Sequence, residues 1–140
     1  MIMPVACAEA PAPSDSDHSS LIIETATGNV TFAVELADTE EKLQRGLMFR
    51  EHLPADTGML FDFDQSRIIT MWMRNTPLPL DMIFITAQGH ISHIAENTVP
   101  FSEAIISSRY PAASVFEVNA GTVQRLGIKV GDAVRHPIFE

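Results

Sequence analysis

LIIETATGNVTFAVEL, running from Leu21 to Leu36, decides the fold class. Its two arms, Leu21-Ile22-Ile23-Glu24 and Val30-Thr31-Phe32-Ala33-Val34-Glu35-Leu36, are rich in β-branched and aromatic residues. They flank Thr27-Gly28-Asn29, a turn cluster, so the stretch predicts a β-hairpin. Directly after it, Asp38 or Thr39 can cap a helix, with Glu41 three residues past Asp38 as in a capping box and Gly46 suited to its end. Leu43 and Leu47 share one face of that helix, and Glu40 and Glu41 suit its N-terminal dipole.

Downstream the same punctuation repeats. Leu53-Pro54-Ala55-Asp56-Thr57-Gly58 reads as a turn into the strand Met59 to Phe63, and Arg67 to Met73 as the next strand. Met82-Ile83-Phe84-Ile85 and His90-Ile91-Ser92-His93-Ile94 flank Gln88-Gly89 as a second hairpin. Val115 to Val118 is a further strand. A short helix from Thr122 to Leu126 stops at Gly127, and a final strand runs through Val134 and Ile138. Short strands with frequent turns and no alternating βαβ pattern predict a mainly β fold, α+β at the margin. The expected architecture is an antiparallel sheet forming a partly open barrel or sandwich, with one or two short helices.

With 140 residues, 46% of them hydrophobic, the chain can bury one continuous core. Eighteen acidic against nine basic residues give a net charge of -9. The basic residues are scattered, which argues against nucleic acid or anionic lipid as a partner. No apolar run approaches the roughly 20 residues of a transmembrane helix. The segment from Ala8 to Ser20 has no bulky apolar residue and reads as a disordered linker. Ala6-Cys7-Ala8 resembles the small-residue end of a secretory signal. Residues 1–20 are therefore expected to be a residual export signal and linker, and 21–140 a single β-rich domain in the periplasm or secreted. At Cys7, the single cysteine, lipidation is the rival reading, ranked lower because Pro4 stands where such signals usually carry Leu, and a plain flexible terminus is the remaining alternative.

Five strings stand out in order: Gly46-Leu47-Met48-Phe49-Arg50, Gly58-Met59-Leu60-Phe61, Met71-Trp72-Met73-Arg74-Asn75-Thr76, Pro79-Leu80-Asp81 and Phe116-Glu117-Val118-Asn119-Ala120-Gly121. Together they resemble the blocks of the domain-of-unknown-function family 192, across about Leu21 to Glu140. The resemblance implies a small β-rich domain, often behind a secretory signal, and it implies no activity. Many relatives carry Phe where this chain has Met71.

Among these strings, Trp72, Arg74, Asn75, Thr76 and Asp81, with Arg50 and Glu117, mix an aromatic wall with polar groups that need partners if buried. They are expected to form a pocket for a small anionic or carbohydrate-like ligand, in which Arg50 and Arg74 clamp an acid and Trp72 stacks on a ring. On this reading the domain is a binding or accessory module, and no cofactor is expected.

Two other readings use neighbouring residues. Asp81 and Glu117 could serve as the carboxylate pair of a hydrolase, or form a structural salt bridge with Arg50 or Arg74. Met71 and Met73, with His93 or His90 and with Met48, Met59 or Met82, could ligate monovalent copper, although buried methionines ordinarily only fill gaps. No nucleophile elbow or phosphate-cradling glycine loop is present. Nothing in the sequence sets an oligomeric state.

Overall fold

In the computed structural model, which describes residues 18–140, the expected first hairpin forms. Strand β1 (His18–Thr25) pairs antiparallel with β2 (Gly28–Ala37), Thr25 opposite Gly28, across the two-residue turn Ala26-Thr27. The Thr25 hydroxyl donates to the Gly28 carbonyl at 2.7 Å and fastens the turn. Strand β1 starts three residues before Leu21, within the span expected to be linker. The export motif around Cys7 lies outside the described residues.

Helix α1 (Glu40–Arg45) follows, with Thr39 as its N-cap: the Lys42 amide donates to Thr39 Oγ1 at 3.2 Å. Thr39 rather than Asp38 takes the cap, so the Asp38–Glu41 box does not form. The helix ends at Gly46, whose φ of 50° and 3.0 Å approach of a notional Cβ to the Phe61 ring both favour glycine.

Strand β3 (Thr57–Arg67) then lies parallel to β2, Val34 opposite Gly58. It is a parallel pair within a sheet that is otherwise antiparallel among the described strands. Helix α1 and the long loop after it carry the chain back to the same end of the sheet, as a parallel pair requires. Strand β3 extends through a register shift to Arg67, so the strand expected from Arg67 to Met73 shrinks to β4 (Thr70–Met71).

The second hairpin is β5 (Leu80–Ile85) and β6 (Ile91–Ala95). Strand β7 (Ile106–Ser107) pairs with β4 in a separate two-stranded sheet. Strand β8 (Ala112–Asn119), helix α2 (Thr122–Leu126) and β9 (Ala133–Arg135) complete the chain before a short 3-10 turn, Pro137–Phe139. The main sheet has the order β6-β5-β8-β3-β2-β1-β9 and curls into a half-barrel. Its two edges meet where Val134 donates to the Gly89 carbonyl at 2.7 Å and Ile91 to the Asp132 carbonyl at 3.0 Å.

Strand alternation sends side chains into two cores. The inner one gathers Leu21, Phe32, Val34, Leu60, Ile83, Phe116 and Val118 from most strands, closed by Val123 of α2. The outer one holds Leu47, Met59, Phe61, Met73, Leu80, Met82 and Phe84, beneath α1 and the loops on the convex face. Gly58 has an ordinary φ, yet a Cβ there would come within 2.5 Å of the Phe116 ring and of the Glu117 carbonyl oxygen. The Phe116 ring, edge-on to Phe32 at 5.1 Å, fills the space where a side chain at position 58 would stand.

Asp81 is wholly buried and points into the inner face beside Val118. Its Oδ1 accepts from the Asn97 amide at 2.9 Å, and its Oδ2 from the Gly121 and Val123 amides at 3.1 and 3.0 Å. One side chain thus holds the 96–98 loop and the start of α2 against the barrel. Asp81→Ala removes the acceptor of three amides, that of Val123 buried and those of Gly121 and Asn97 partly so, and a buried amide left unpaired costs about 1–3 kcal/mol. We expect it to lower the urea-derived stability by about 3 kcal/mol or more and to speed hydrogen exchange at Gly121 and Val123. A loss under about 1 kcal/mol would contradict this role.

Candidate functional site

The outer core is not fully covered. Between α1 with the Gly46–Phe49 turn on one side and the Thr70–Thr76 segment on the other lies a groove of about 930 Å³. That is within the usual range for small-molecule pockets. Phe61, Phe63, Met71 and Met73 form much of its apolar wall, and Glu117 lies among them.

Glu117 is placed by register. In the sheet it stands opposite Met59 of β3 on one side and Met82 of β5 on the other, so its side chain shares the outer face with theirs. The residue is only 4% exposed. Among the described residues no hydrogen-bond donor or cation partners its carboxyl. Burial without compensation raises its pKa to about 8. The side chain is therefore mainly a neutral acid at pH 7, able both to donate and to accept a hydrogen bond.

Trp72 is 43% exposed, with Met73 buried and Met71 partly so. All three border the groove. The Arg74 guanidinium sits 5.4 Å from the Trp72 ring centroid, and Arg67 sits 5.1 Å from that of Phe63. The rim is held by an unusual backbone. Phe49 and Phe101 are both largely exposed and adopt positive φ, 67° and 65°. Their amides donate to the adjacent carbonyls of Asn75 and Thr76, at 2.7 and 3.1 Å. Non-glycine residues at positive φ carry a conformational cost and gather at functional positions.

Of the residues expected at the site, the groove unites Trp72, Arg74, Asn75, Thr76 and Glu117. Thr76 is buried, its hydroxyl donating to the Arg74 carbonyl at 3.0 Å, so it shapes the loop. Asn75 is exposed at φ 56° and turns the chain.

Two expected members are elsewhere. Arg50 forms a two-pronged pair with Glu35 at 2.5 and 2.7 Å and borders a separate cavity of about 220 Å³. Asp81 is committed to backbone amides on the opposite face. The structure thus separates Asp81 from Glu117, because Asp81 pairs with Val118 and Glu117 with Met82, and adjacent positions of a strand face opposite ways. The two carboxylates do not flank one substrate, and neither pairs with Arg50 or Arg74, so the expected salt-bridge lock does not form. Arg74 instead approaches Glu103 at 3.9 Å, both side chains exposed.

The methionines divide similarly. Met71 and Met73 face the groove, the latter receiving the Thr98 hydroxyl at 3.2 Å. His93 lies outside the groove, stacked on Phe84, where burial and then Arg109 lower its pKa. Among the described residues no three His, Cys, Asp or Glu side chains gather as a metal site.

Phe63, Arg67 and the carboxylates Glu40 and Glu41 also border the groove and were not anticipated. Leu47, Met48 and Phe49 belong to a string singled out in the sequence. Only the return of β3 beneath α1 shows that this string faces Trp72.

An unpaired acid in the core makes stability depend on pH. The unfolded chain releases the Glu117 proton near 4.5, whereas the folded chain keeps it up to about 8. Its cost is therefore absent below pH 4.5, grows as pH rises through this window, and is complete above about 8. At pH 7 it is on the order of 3 kcal/mol. Glu117→Gln, neutral throughout and of the same shape, should equal wild type in stability near pH 4.5 and exceed it by roughly 3 kcal/mol at pH 7. Thermal unfolding of both across that range checks the difference; parallel curves would contradict it.

Comparison with known proteins agrees with the strings that flank the groove. The model of the family DUF192, described as "Uncharacterized ACR", matches residues 22–136. No curated protein matches the chain. A crystal structure of a candidate transcription regulator from Sinorhizobium meliloti 1021 is similar, with TM-score 0.84 and 48% identity, over 86% of this chain and 95% of that one. A protein of unknown function from Novosphingobium aromaticivorans DSM 12444 is also similar, with TM-score 0.83 and 38% identity, over 85% of each chain. With its family model spanning nearly all of the half-barrel, the chain belongs to the DUF192 family.

Proposed function

We propose that this domain is a binding module that takes a small ligand into the groove between α1 and the Thr70–Thr76 segment. The observation that carries this reading is Glu117, a buried acid without a partner that opens onto an apolar wall. A protein interior keeps such a group at a cost, and functional sites are where that cost is offset. The Trp72 indole supplies a flat surface for the ring or apolar body of the ligand. Phe49, held at the rim by its hydrogen bond to the Asn75 carbonyl, extends that surface at the mouth.

Clamping of an anion has lost its main support, because Arg50 is engaged with Glu35. The remaining arginines along the groove, Arg45, Arg67 and Arg74, share it with Glu40 and Glu41, and Arg74 also approaches Glu103. A neutral or positively charged polar head is what the unpartnered Glu117 acid can receive, and a sugar-like ring remains compatible with Trp72. The regulator label of the Sinorhizobium relative would suggest nucleic acid as a partner, but a net charge of -9 opposes it.

A fragment screen by protein-observed NMR tests the reading. Saturable shifts should cluster on Leu47, Met48, Thr70 to Thr76 and Glu117. Trp72→Ala should weaken the hits by about tenfold, as expected for loss of an aromatic contact. Shifts spread over remote strands, or hits indifferent to Trp72→Ala, would contradict it.

A further inference from the structure

The chemistry at the floor of the groove restricts what the ligand can be. We propose that Glu117 receives the ammonium group of a small primary amine whose apolar body lies against Phe61, Met71 and Trp72. This rests on the binding-module reading above and specifies its ligand class.

Three observations converge. First, Glu117 is 4% exposed, stands in register between Met59 and Met82, and has neither a hydrogen-bond donor nor a cation on its carboxyl among the described residues. Thioethers cannot donate a hydrogen bond, so the protein offers nothing to stabilise its ionised form. A group that brings positive charge and N–H donors together supplies both of the missing interactions.

Second, the aromatic rings of the groove already attract cations. Arg67 lies over Phe63 and Arg74 over Trp72, both on exposed side chains. The ring faces attract cations, and the two guanidiniums occupy the sides that they cover, so a ligand cation lies deeper, at Glu117. Third, Glu40 and Glu41 of α1 offset two of the groove's three arginines, Arg45, Arg67 and Arg74, within a protein of net charge -9. It is the charge of the whole protein that draws cations toward it.

Binding of an ammonium ion couples to a proton. The neutral Glu117 acid releases its proton to solvent, the carboxylate forms, and the ligand cation replaces the lost charge balance. The charged groups facing the groove are Glu40, Glu41 and Arg45 from α1, Arg67 from β3 and Arg74 from the Trp72 segment; β5 and β8 contribute none apart from Glu117. The coupled proton is the one that the buried Glu117 acid carries. Because Glu117 titrates at about 8, affinity rises about tenfold per pH unit below that value and levels off above it.

Butylammonium, butyrate and 1-butanol, matched in apolar body and different in charge, provide the test. Trp72 is the single tryptophan and reports binding through its fluorescence. Butylammonium should bind saturably with the stated pH dependence and release close to one proton near pH 7, and Glu117→Gln should weaken it tenfold or more and abolish the pH dependence. Glu117→Gln replaces a neutral acid by a neutral amide of the same shape, so the fold is retained. If butyrate or butanol binds as tightly as butylammonium, or if Glu117→Gln leaves butylammonium unaffected, the ammonium assignment is overturned while the groove remains a binding site. If none of the three changes Trp72 emission well above millimolar concentration, the assignment and the binding-module reading both fall.

Discussion

Strand β5 pairs with β8 so that Asp81 stands beside Val118 and Met82 beside Glu117, and this register governs what both faces of the sheet can do. It sends one carboxyl into the inner barrel and the other into the outer core. The two burials are resolved in opposite ways. Asp81 is surrounded by three amide donors and serves as a structural clamp. Glu117 has thioethers on both sides and stays neutral at the expense of stability. A one-residue slip would exchange the two environments, leaving the Gly121 and Val123 amides without their acceptor.

The strings that mark the family are largely pairs of surfaces that meet. Gly58 is a glycine because the Phe116 ring lies over it, and Gly46 because Phe61 does the same at the end of α1. Asp81 reaches Gly121, and the Phe49 amide reaches the Asn75 carbonyl. Packing and hydrogen bonding therefore account for most of these residues without any ligand. Three features remain outside that account: the bare acid at Glu117, the indole of Trp72 left partly in solvent, and the exposed Phe49 held at positive φ. All three border the groove.

Local features were legible in the sequence. Both hairpins follow from a turn cluster between β-rich arms, and both helices from a capping residue or a terminal glycine, because the determining contacts span only a few residues. The barrel class followed from the number and spacing of such units. The parallel pairing of β2 with β3 was hidden, since it depends on how a long loop packs over the sheet.

The site was legible in membership more than in role. Trp72, Arg74 and Glu117 share one groove as expected. Asp81 was misread as a candidate catalytic group because its partners are backbone amides, which no residue type announces. Arg50 was misread because its partner Glu35 sits on a strand that only the fold brings near. Conversely, nothing in the string Val115-Phe116-Glu117-Val118 shows that the acid is unpaired. That follows from Met59 and Met82 being its cross-strand neighbours.

The central claim is that Glu117 is a neutral, unpaired acid in the native protein. A carbon-detected NMR titration of its side-chain carboxyl measures this directly. The account predicts a midpoint near 8, with the protonated form dominant at neutral pH. A midpoint close to the ordinary value of 4.5 would show that the carboxyl has a partner or free access to water, and would contradict it.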